Sequence, residues 1–422
     1  MKKIDVMILG AGIAGLGAAL KAREQGRESV IFEANNRAGG LLDNFKVQGF
    51  RFDNAVHLSF ATEPEVRKIF DQVDYYTHPA DAYNFDQDKW LKHPVQNNLY
   101  PLPPSDKVDL IKSFLNRPEL NSDDYESWLR HQYGDVISER YPIRYTQKYW
   151  GTPASKLSTT WIGNRMRRAE VGEILYGAFT SDTPNTYYTK EMRYPKKGGY
   201  RAFIEKLIEQ SKIEYGYRAE EVDLESNTVK FSNGEIIEFN TLVSSIPLPV
   251  LASITKDTPL EILDSAQSLE ATSIDLVSVG FNKEIIKDLW FYIYDEDILA
   301  SRAYSPSVKS PDNVPEGCSS LQFEVYSRGV KSNYTKVELL ENIKYALKKM
   351  KIASPEDVVF IDHKHLRYGN VIFDLGMEEK RDRVRDFFEQ NLVRAIGRFG
   401  EWDYLWSNQS FLSGYNSEFN KN

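Results

Sequence analysis

The sequence predicts an α/β protein, and three observations carry that expectation. Near the start, an apolar run, a glycine-rich turn and an Ala/Leu-rich stretch lead into a second apolar run. That order builds parallel strands with a helix packed across them. Residues 105 to about 180 then pattern as helix, with Trp128, Tyr149, Trp150 and Trp161 as bulky packing residues. Residues 221–247 alternate as short strands, and residues 272–326 are again strand-rich. No internal repeat or low-complexity tract divides these parts, so the domains are expected to interleave.

Taken in order, residues 4–9 read as a buried strand, Gly10 to Gly15 as a turn, residues 14–25 as a helix ending near Gly26, and residues 28–33 as a second strand. The prolines of residues 100–104 punctuate the chain before the helical region. An amphipathic helix is expected over 201–212, after Gly198-Gly199. Asn233-Gly234 between two alternating runs marks a hairpin. Residues 336–351 and 377–396 read as helices.

Composition narrows the function. The chain has 422 residues, enough for two or three domains, with 41% hydrophobic and 27% charged residues, ordinary for a globular protein. Lys+Arg number 53 against 61 Asp+Glu, a net charge of -8, which argues against a nucleic-acid binder. A single cysteine, Cys318, excludes an internal disulfide framework and a cysteine-based zinc site. Gly10, Gly12, Gly15 and Gly17 break the first apolar run, which therefore does not read as a targeting segment, and no uninterrupted apolar stretch is long enough for a membrane span. A soluble, cytoplasmic protein is expected, its oligomeric state open, homo-oligomers included. There is no G-x-S-x-G elbow and no phosphate-binding G-x-x-x-x-G-K-[ST] loop, and His363-Lys364-His365 lacks metal-ligand spacing, so no metal is expected.

The strongest local motif is Gly10-Ala11-Gly12-Ile13-Ala14-Gly15, a G-x-G-x-x-G between strand and helix. Its first glycine permits the tight turn, its second lets backbone approach a pyrophosphate, and its third lets helix and strand pack closely. The helix N-terminus offers free N–H groups to phosphate. Glu33, at the end of the next strand, is placed to accept from a ribose hydroxyl. A Rossmann-like dinucleotide site follows. Glu33-Ala34-Asn35-Asn36-Arg37-Ala38-Gly39-Gly40 then matches an E-x-x-x-R-x-G-G extension found in FAD-dependent amine-oxidase-like proteins. Arg37 can neutralise the pyrophosphate, and Gly39 and Gly40 let backbone lie along an extended cofactor, so FAD is expected over a nicotinamide.

Scattered later motifs resemble those of UDP-galactopyranose mutases, from Gly10 to Gly414. Trp90 to Leu99, with Gln96, Asn97 and Asn98, is similar to a Y-P-F-Q-N-N segment that helps bind uridine; Val95 and His93 replace its aromatic residues. Trp161-Ile162-Gly163-Asn164-Arg165 is similar to W-x-G-E-R, while Arg167 and Arg168 read as a solvated helix face. Trp290-Phe291-Tyr292 and Arg302 match the spacing of a second phosphate-binding arginine. Gly397 to Gln409 resembles R-F-G-S-x-x-Y-x-x-G-N-Q, with Arg398, Tyr404, Asn408 and Gln409 in register. Asp53 to His57 falls on D-x-G-G-H, with Ala55-Val56 in place of the glycines. Tyr194 to Gly199 resembles Y-P-x-x-G-G, and Val222 falls on a strand that touches adenine in related flavoproteins. Arg367 to Ile372 departs from the family, with Asn370 where a phosphate-binding tyrosine stands unless a gap moves Tyr368 there.

The resemblance implies an FAD-binding Rossmann-like domain (residues 1–60, 190–255 and 385–422), a helical domain (105–180) and an antiparallel, six-stranded sheet domain for substrate (61–104 and 256–384). It implies a flavin-dependent nucleotide-sugar mutase that interconverts pyranose and furanose through an adduct between reduced flavin N5 and the anomeric carbon, in polysaccharide biosynthesis. Its catalytic residues would be His57, Arg165 and Arg302. Gln96, Asn98, Trp161, Tyr292, Tyr404 and Asn408 would bind the nucleotide sugar. Gly10, Gly12, Ile13, Ala14, Gly15, Glu33, Arg37, Gly39, Gly40, Leu41, Val222, Arg398, Asn408 and Gln409 would bind FAD. The alternatives are an FAD-dependent oxidoreductase of the amine oxidase/protoporphyrinogen oxidase-like group, which shares the N-terminal motifs without needing Gln96 or two convergent arginines, and a non-catalytic flavin-bound partner in polysaccharide assembly.

Overall fold

A computed structural model describes residues 2–163, 165–166, 168, 170–184 and 191–419. Two seven-stranded sheets organise it. The first is parallel at its centre: Lys2–Leu9 lies between Ser29–Glu33 and Ile236–Ser244 and runs parallel to both. Val6 to Leu9 are buried without alternation, as expected of a strand covered on both faces. Ile213–Tyr215 extends one edge. At the other edge Ile236–Ser244 serves two partners: its first half pairs antiparallel with Thr228–Phe231, and its last residues pair parallel with Val393–Ala395. Ala219–Asp223 closes that edge through the Asn233-Gly234 side of the sheet.

The helix Ile13–Glu24 crosses this sheet and is clasped by Ser407–Tyr415. Their approach is backbone to backbone, because a Cβ at Gly414 would collide with the Ala14 carbonyl and one at Gly17 with that of Phe411. Residues 377–396 do not form one helix, as the sequence pattern suggests. The helix Met377–Gln390 stops, Leu392 turns left-handed (φ 59°), and Val393–Ala395 becomes a strand, because the end of Ile236–Ser244 offers it a free ladder.

The second sheet has the order Val358–Leu366, Thr272–Phe281, Ser319–Arg328, Arg302–Tyr304, Trp290–Ile293, Ala82–Asp86, Lys89–Lys92. It holds seven strands where six are implied, the hairpin of residues 82–92 supplying the two at one edge, and one pair, Trp290–Ile293 with Ala82–Asp86, is parallel. Residues 64–78 lie with the first sheet instead: Phe70 stacks on Phe203 at 4.6 Å, and Tyr75–His78 pairs with Met192–Pro195.

The helices Pro104–Leu115, Tyr125–Tyr133, Asp135–Ser138, Arg144–Trp150 and Val171–Phe179 pack on one another, and Arg144–Trp150 lies against the strand Ser319–Arg328 of the second sheet. A wide π turn, Glu139–Ile143, contains Pro142, which cannot donate to a regular helical ladder. It continues into Arg144–Trp150, so Tyr141, Tyr145 and Tyr149 recur every fourth residue and share one face. No helix among the described residues is long and apolar enough to cross a membrane.

Candidate active site

A cavity of about 1060 Å³ opens above the first sheet and runs to the edge of the second. Its floor is the glycine turn. Gly10 adopts φ 97°, and a Cβ there would collide with Ser245 Oγ. Gly15 sits behind the turn and does not face the cavity; a Cβ there would strike the Gly10 carbonyl oxygen. A Cβ at Gly12, by contrast, meets nothing within 4 Å. The second glycine therefore borders open space, which is the room a pyrophosphate requires. Gly39 (φ 118°) bridges Gly12, and Gly40 (φ 57°) lies against its Cα. Ile13, Ala14 and Leu41 complete this wall.

Glu33 is buried at the same cavity and accepts from Ala11 N (2.8 Å) and from Asn35 N (2.9 Å). Its carboxylate thus braces the turn while bordering the space a ribose would fill. Arg37 also borders it, but its guanidinium grips Asp43 through two hydrogen bonds of 2.9 and 2.7 Å. That hydrogen bonding raises its pKa. Asp43 accepts from Arg201 as well (2.9 Å).

Farther along the cavity, Ala55 takes φ 78°, the left-handed conformation for which the resembled family uses glycine. The next peptide is tied down, with Val56 N donating to Glu324 Oε1 at 2.8 Å. His57 Nδ1 is 3.0 Å from the Ala55 carbonyl, which assigns the proton to Nδ1 and leaves Nε2 an acceptor. Burial, reinforced by the nearby Lys309 charge, pulls the His57 pKa down from 6.5 to about 3, so the ring is neutral.

A second cavity of about 300 Å³ adjoins the first and shares Tyr149, Tyr292, Arg302, Tyr404 and Trp406 with it. Gln96, Trp161 and Arg165 line this smaller space, as do Tyr141 and Tyr145. The Tyr149 and Tyr404 hydroxyls lie 3.1 Å apart. Arg302 stands over the Tyr149 ring at 5.2 Å, Arg165 over Tyr404 at 4.7 Å and Trp406 at 4.8 Å, and Arg398 over Tyr404 at 5.0 Å. Three guanidiniums from three distant segments thus gather on one aromatic pair. Burial raises the Tyr404 pKa well above its ordinary value, as does the Tyr149 hydroxyl beside it, so the hydroxyl stays protonated and can donate.

Each arginine is held in place. Arg165 donates to the Trp161 and Tyr404 carbonyls, both at 2.6 Å. Arg398 donates to Leu405 O at 2.9 Å. Arg302 binds the fully buried Glu324 and donates to Tyr326 Oη at 3.2 Å. Burial opposes the charge on Arg302, but the Glu324 carboxylate outweighs it and holds its pKa well above the ordinary value.

Several expected contacts fall elsewhere. Asn98 lines neither cavity: its amide donates to Pro94 O (2.8 Å) and accepts from Thr183. Asn408 donates to Glu63 Oε1 (2.8 Å), and Gln409 accepts from Trp406 N (2.9 Å), capping its helix. Both side chains leave the cavity to Ser407 and Ser410 of the same helical turn. Val222 is buried in its strand and its carbonyl accepts from Lys256 N (2.8 Å), so it does not reach the cofactor cavity. Arg168 is exposed at the rim of the smaller cavity and is not helical; Asn164 and Arg167 lie outside the described residues. Asn370 and Tyr368 both border the larger cavity and not the smaller, and Asn370 Oδ1 lies 3.5 Å from Arg398 Nη1.

Tyr145, Tyr326 and Glu324 were not singled out in the sequence. The tyrosine spacing over residues 141–149 was a readable signal. Glu324, the one carboxylate in the strand Ser319–Arg328, was another.

Residues 13–369 match the family described as flavin containing amine oxidoreductase. Protoporphyrinogen oxidase 2, chloroplastic/mitochondrial, of Arabidopsis thaliana is 30% identical over 108 residues, 26% of this chain and 20% of that protein. The 4,4'-diapophytoene desaturase (4,4'-diaponeurosporene-forming) of Staphylococcus aureus (strain COL) is 46% identical over 50 residues, 12% of this chain and 10% of that protein. The chain thus spans about a fifth or less of the length of these curated relatives. Among solved structures, a reduced UDP-galactopyranose mutase superposes with a TM-score of 0.90 at 24% identity, covering 98% of this chain and 94% of the other. Cyclohexylamine oxidase from Brevibacterium oxydans IH-35A gives 0.67 at 15% identity, covering 98% and 97%.

Proposed function

The chain belongs to the flavin containing amine oxidoreductase family and binds FAD, and on that premise we propose that it is a flavin-dependent nucleotide-sugar mutase acting on a UDP-galactose-like substrate. The observation that carries this reading is the pairing of Arg165 and Arg302 in the smaller cavity, next to the cavity of the glycine turn. Guanidinium is the side chain best suited to a diphosphate, since it can bind two oxygens at once. An oxidase of small amines has no need of two such cations at its substrate.

In this reading Gln96 meets the uracil edge with a donor and an acceptor, and Trp161 supplies a stacking surface. Arg165 and Arg302 hold the nucleoside diphosphate as it leaves the anomeric carbon and until it returns. Tyr404 and Tyr292, at the junction of the cavities, orient the sugar. The sugar recloses through a different hydroxyl, so the substrate is neither oxidised nor reduced overall. Bound FAD, in its reduced form, supplies an electron-rich N5 for this exchange. Neutral His57 can accept a hydrogen bond at Nε2 without adding charge. Positioned cations of this kind contribute about 3 kcal/mol each to stabilising a departing anion.

The test is furanose formation from UDP-galactose by dithionite-reduced protein. Arg165→Ala should lose that turnover and keep its flavin; full turnover in the variant removes the assignment. The second reading, an FAD-dependent oxidoreductase, is favoured by the family itself and by the protoporphyrinogen oxidase match. Hydrogen peroxide release on amines, without furanose formation, would establish it.

A further inference from the structure

Around the glycine turn, the arginines nearest a cofactor diphosphate are committed to carboxylates among the described residues, while Arg398 borders the same cavity farther along, over the Tyr404 ring. Arg37 is tied to Asp43, and Arg201 to Asp43 and to Glu205 at 2.8 Å. Two cations thus face two carboxylates, and Glu33 adds a further negative charge at the same cavity. Lys46 and Arg367 reach the cavity from its exposed rim, where water screens them.

Lys364 is different. It lies in the strand Val358–Leu366 of the second sheet, half-buried, and borders the cavity. Its neighbours His363 and His365 are both engaged by Asp275 Oδ1 at 2.8 Å, although His365 also borders the cavity. Lys364 extends over the Phe45 ring, with Nζ 4.3 Å from the centroid, and donates to Asn54 Oδ1 at 2.8 Å. Asn54 in turn donates to the Gly40 carbonyl at 3.1 Å, beside Gly12. The ammonium is therefore aimed at the glycine cradle through a neutral amide, and it makes no ion pair among the described residues. Burial lowers its pKa; the Asp43 charge opposes this and the Arg37 charge adds to it.

We propose that Lys364 is a further FAD-binding residue, a cation delivered by the substrate-side sheet to the cofactor's pyrophosphate, with Asn54 and Phe45 positioning it. It makes one contact span both sheets, so cofactor binding also fastens the second sheet to the first.

The test uses purified holoprotein, diluted through a concentration series while released FAD is followed by its fluorescence, at several KCl concentrations. Lys364→Met should raise the FAD dissociation constant about tenfold, the scale of one charge-assisted contact. It should also flatten the salt dependence, while Lys364→Arg retains most of the affinity. The flavin midpoint potential should stay at its wild-type value, because the charge faces phosphate and not the ring. If Lys364→Met fails to fold, Lys364→Gln, neutral and still able to reach Asn54, replaces it. An unchanged dissociation constant overturns the proposal, as does an equal loss in Lys364→Arg or an altered midpoint potential at unchanged affinity.

Discussion

The two cavities are built in opposite ways. The larger one rests on a contiguous cradle: residues 10–15, 33 and 37–41 lie within one βαβ unit, and backbone does most of the work. The smaller one is assembled from side chains of residues 93–97, 125–168, 292–302 and 404–406, brought together by two sheets and a helical layer. Backbone geometry is dictated locally, so the first tolerates side-chain change and fails when a Cβ is added. The second fails when a partner is removed, because its cations are held by other side chains and by carbonyls.

The sharpest way to break this contrast is at Gly15. Gly15→Ala places a methyl against the Gly10 carbonyl, and the protein should lose flavin and at least about 3 kcal/mol of stability; a yellow protein of normal melting temperature would refute the cradle's rigidity. Next come the two arginines, which should part company. Arg302→Ala strands buried Glu324 and should cost about 3–5 kcal/mol in denaturant unfolding, with Arg302→Met/Glu324→Gln recovering most of it. Arg165→Ala removes a guanidinium that donates to the Trp161 and Tyr404 carbonyls and should lower turnover about a hundredfold, with a smaller loss of stability than Arg302→Ala.

A smaller effect tests the side chains that the fold withdraws from the cavities. Asn98→Ala breaks bonds to Pro94 and Thr183, so stability should fall by about 1–2 kcal/mol while KM for the nucleotide sugar is unchanged. A raised KM would return Asn98 to the substrate.

The smallest effect is protonic. His57 and His93 are depressed by burial from 6.5 to about 3 and about 4. The unfolded chain therefore binds more protons between pH 6.5 and 3, and stability should decline as pH falls through that window. His57→Gln should flatten part of the decline in urea midpoints measured from pH 7 to pH 4; an unchanged slope would mean that His57 is charged in the native protein.

The alternating runs, the Asn233-Gly234 hairpin and the glycine turn were legible because each rests on neighbours within a few residues. The end of the helix Met377–Gln390 was not, since residues 393–395 become a strand only because the end of Ile236–Ser244 is open to them. Asn98, Asn408 and Gln409 look like ligand contacts in a motif, yet Thr183, Glu63 and the Trp406 backbone had already engaged them in space. By itself, the sequence determined the cofactor cradle, because a tight turn with its close approaches is a property of consecutive φ angles and missing Cβ atoms. Only the tertiary structure decided which polar side chains stay open to a ligand and which cations meet over Tyr149 and Tyr404. Those outcomes depend on burial and on partners hundreds of residues away.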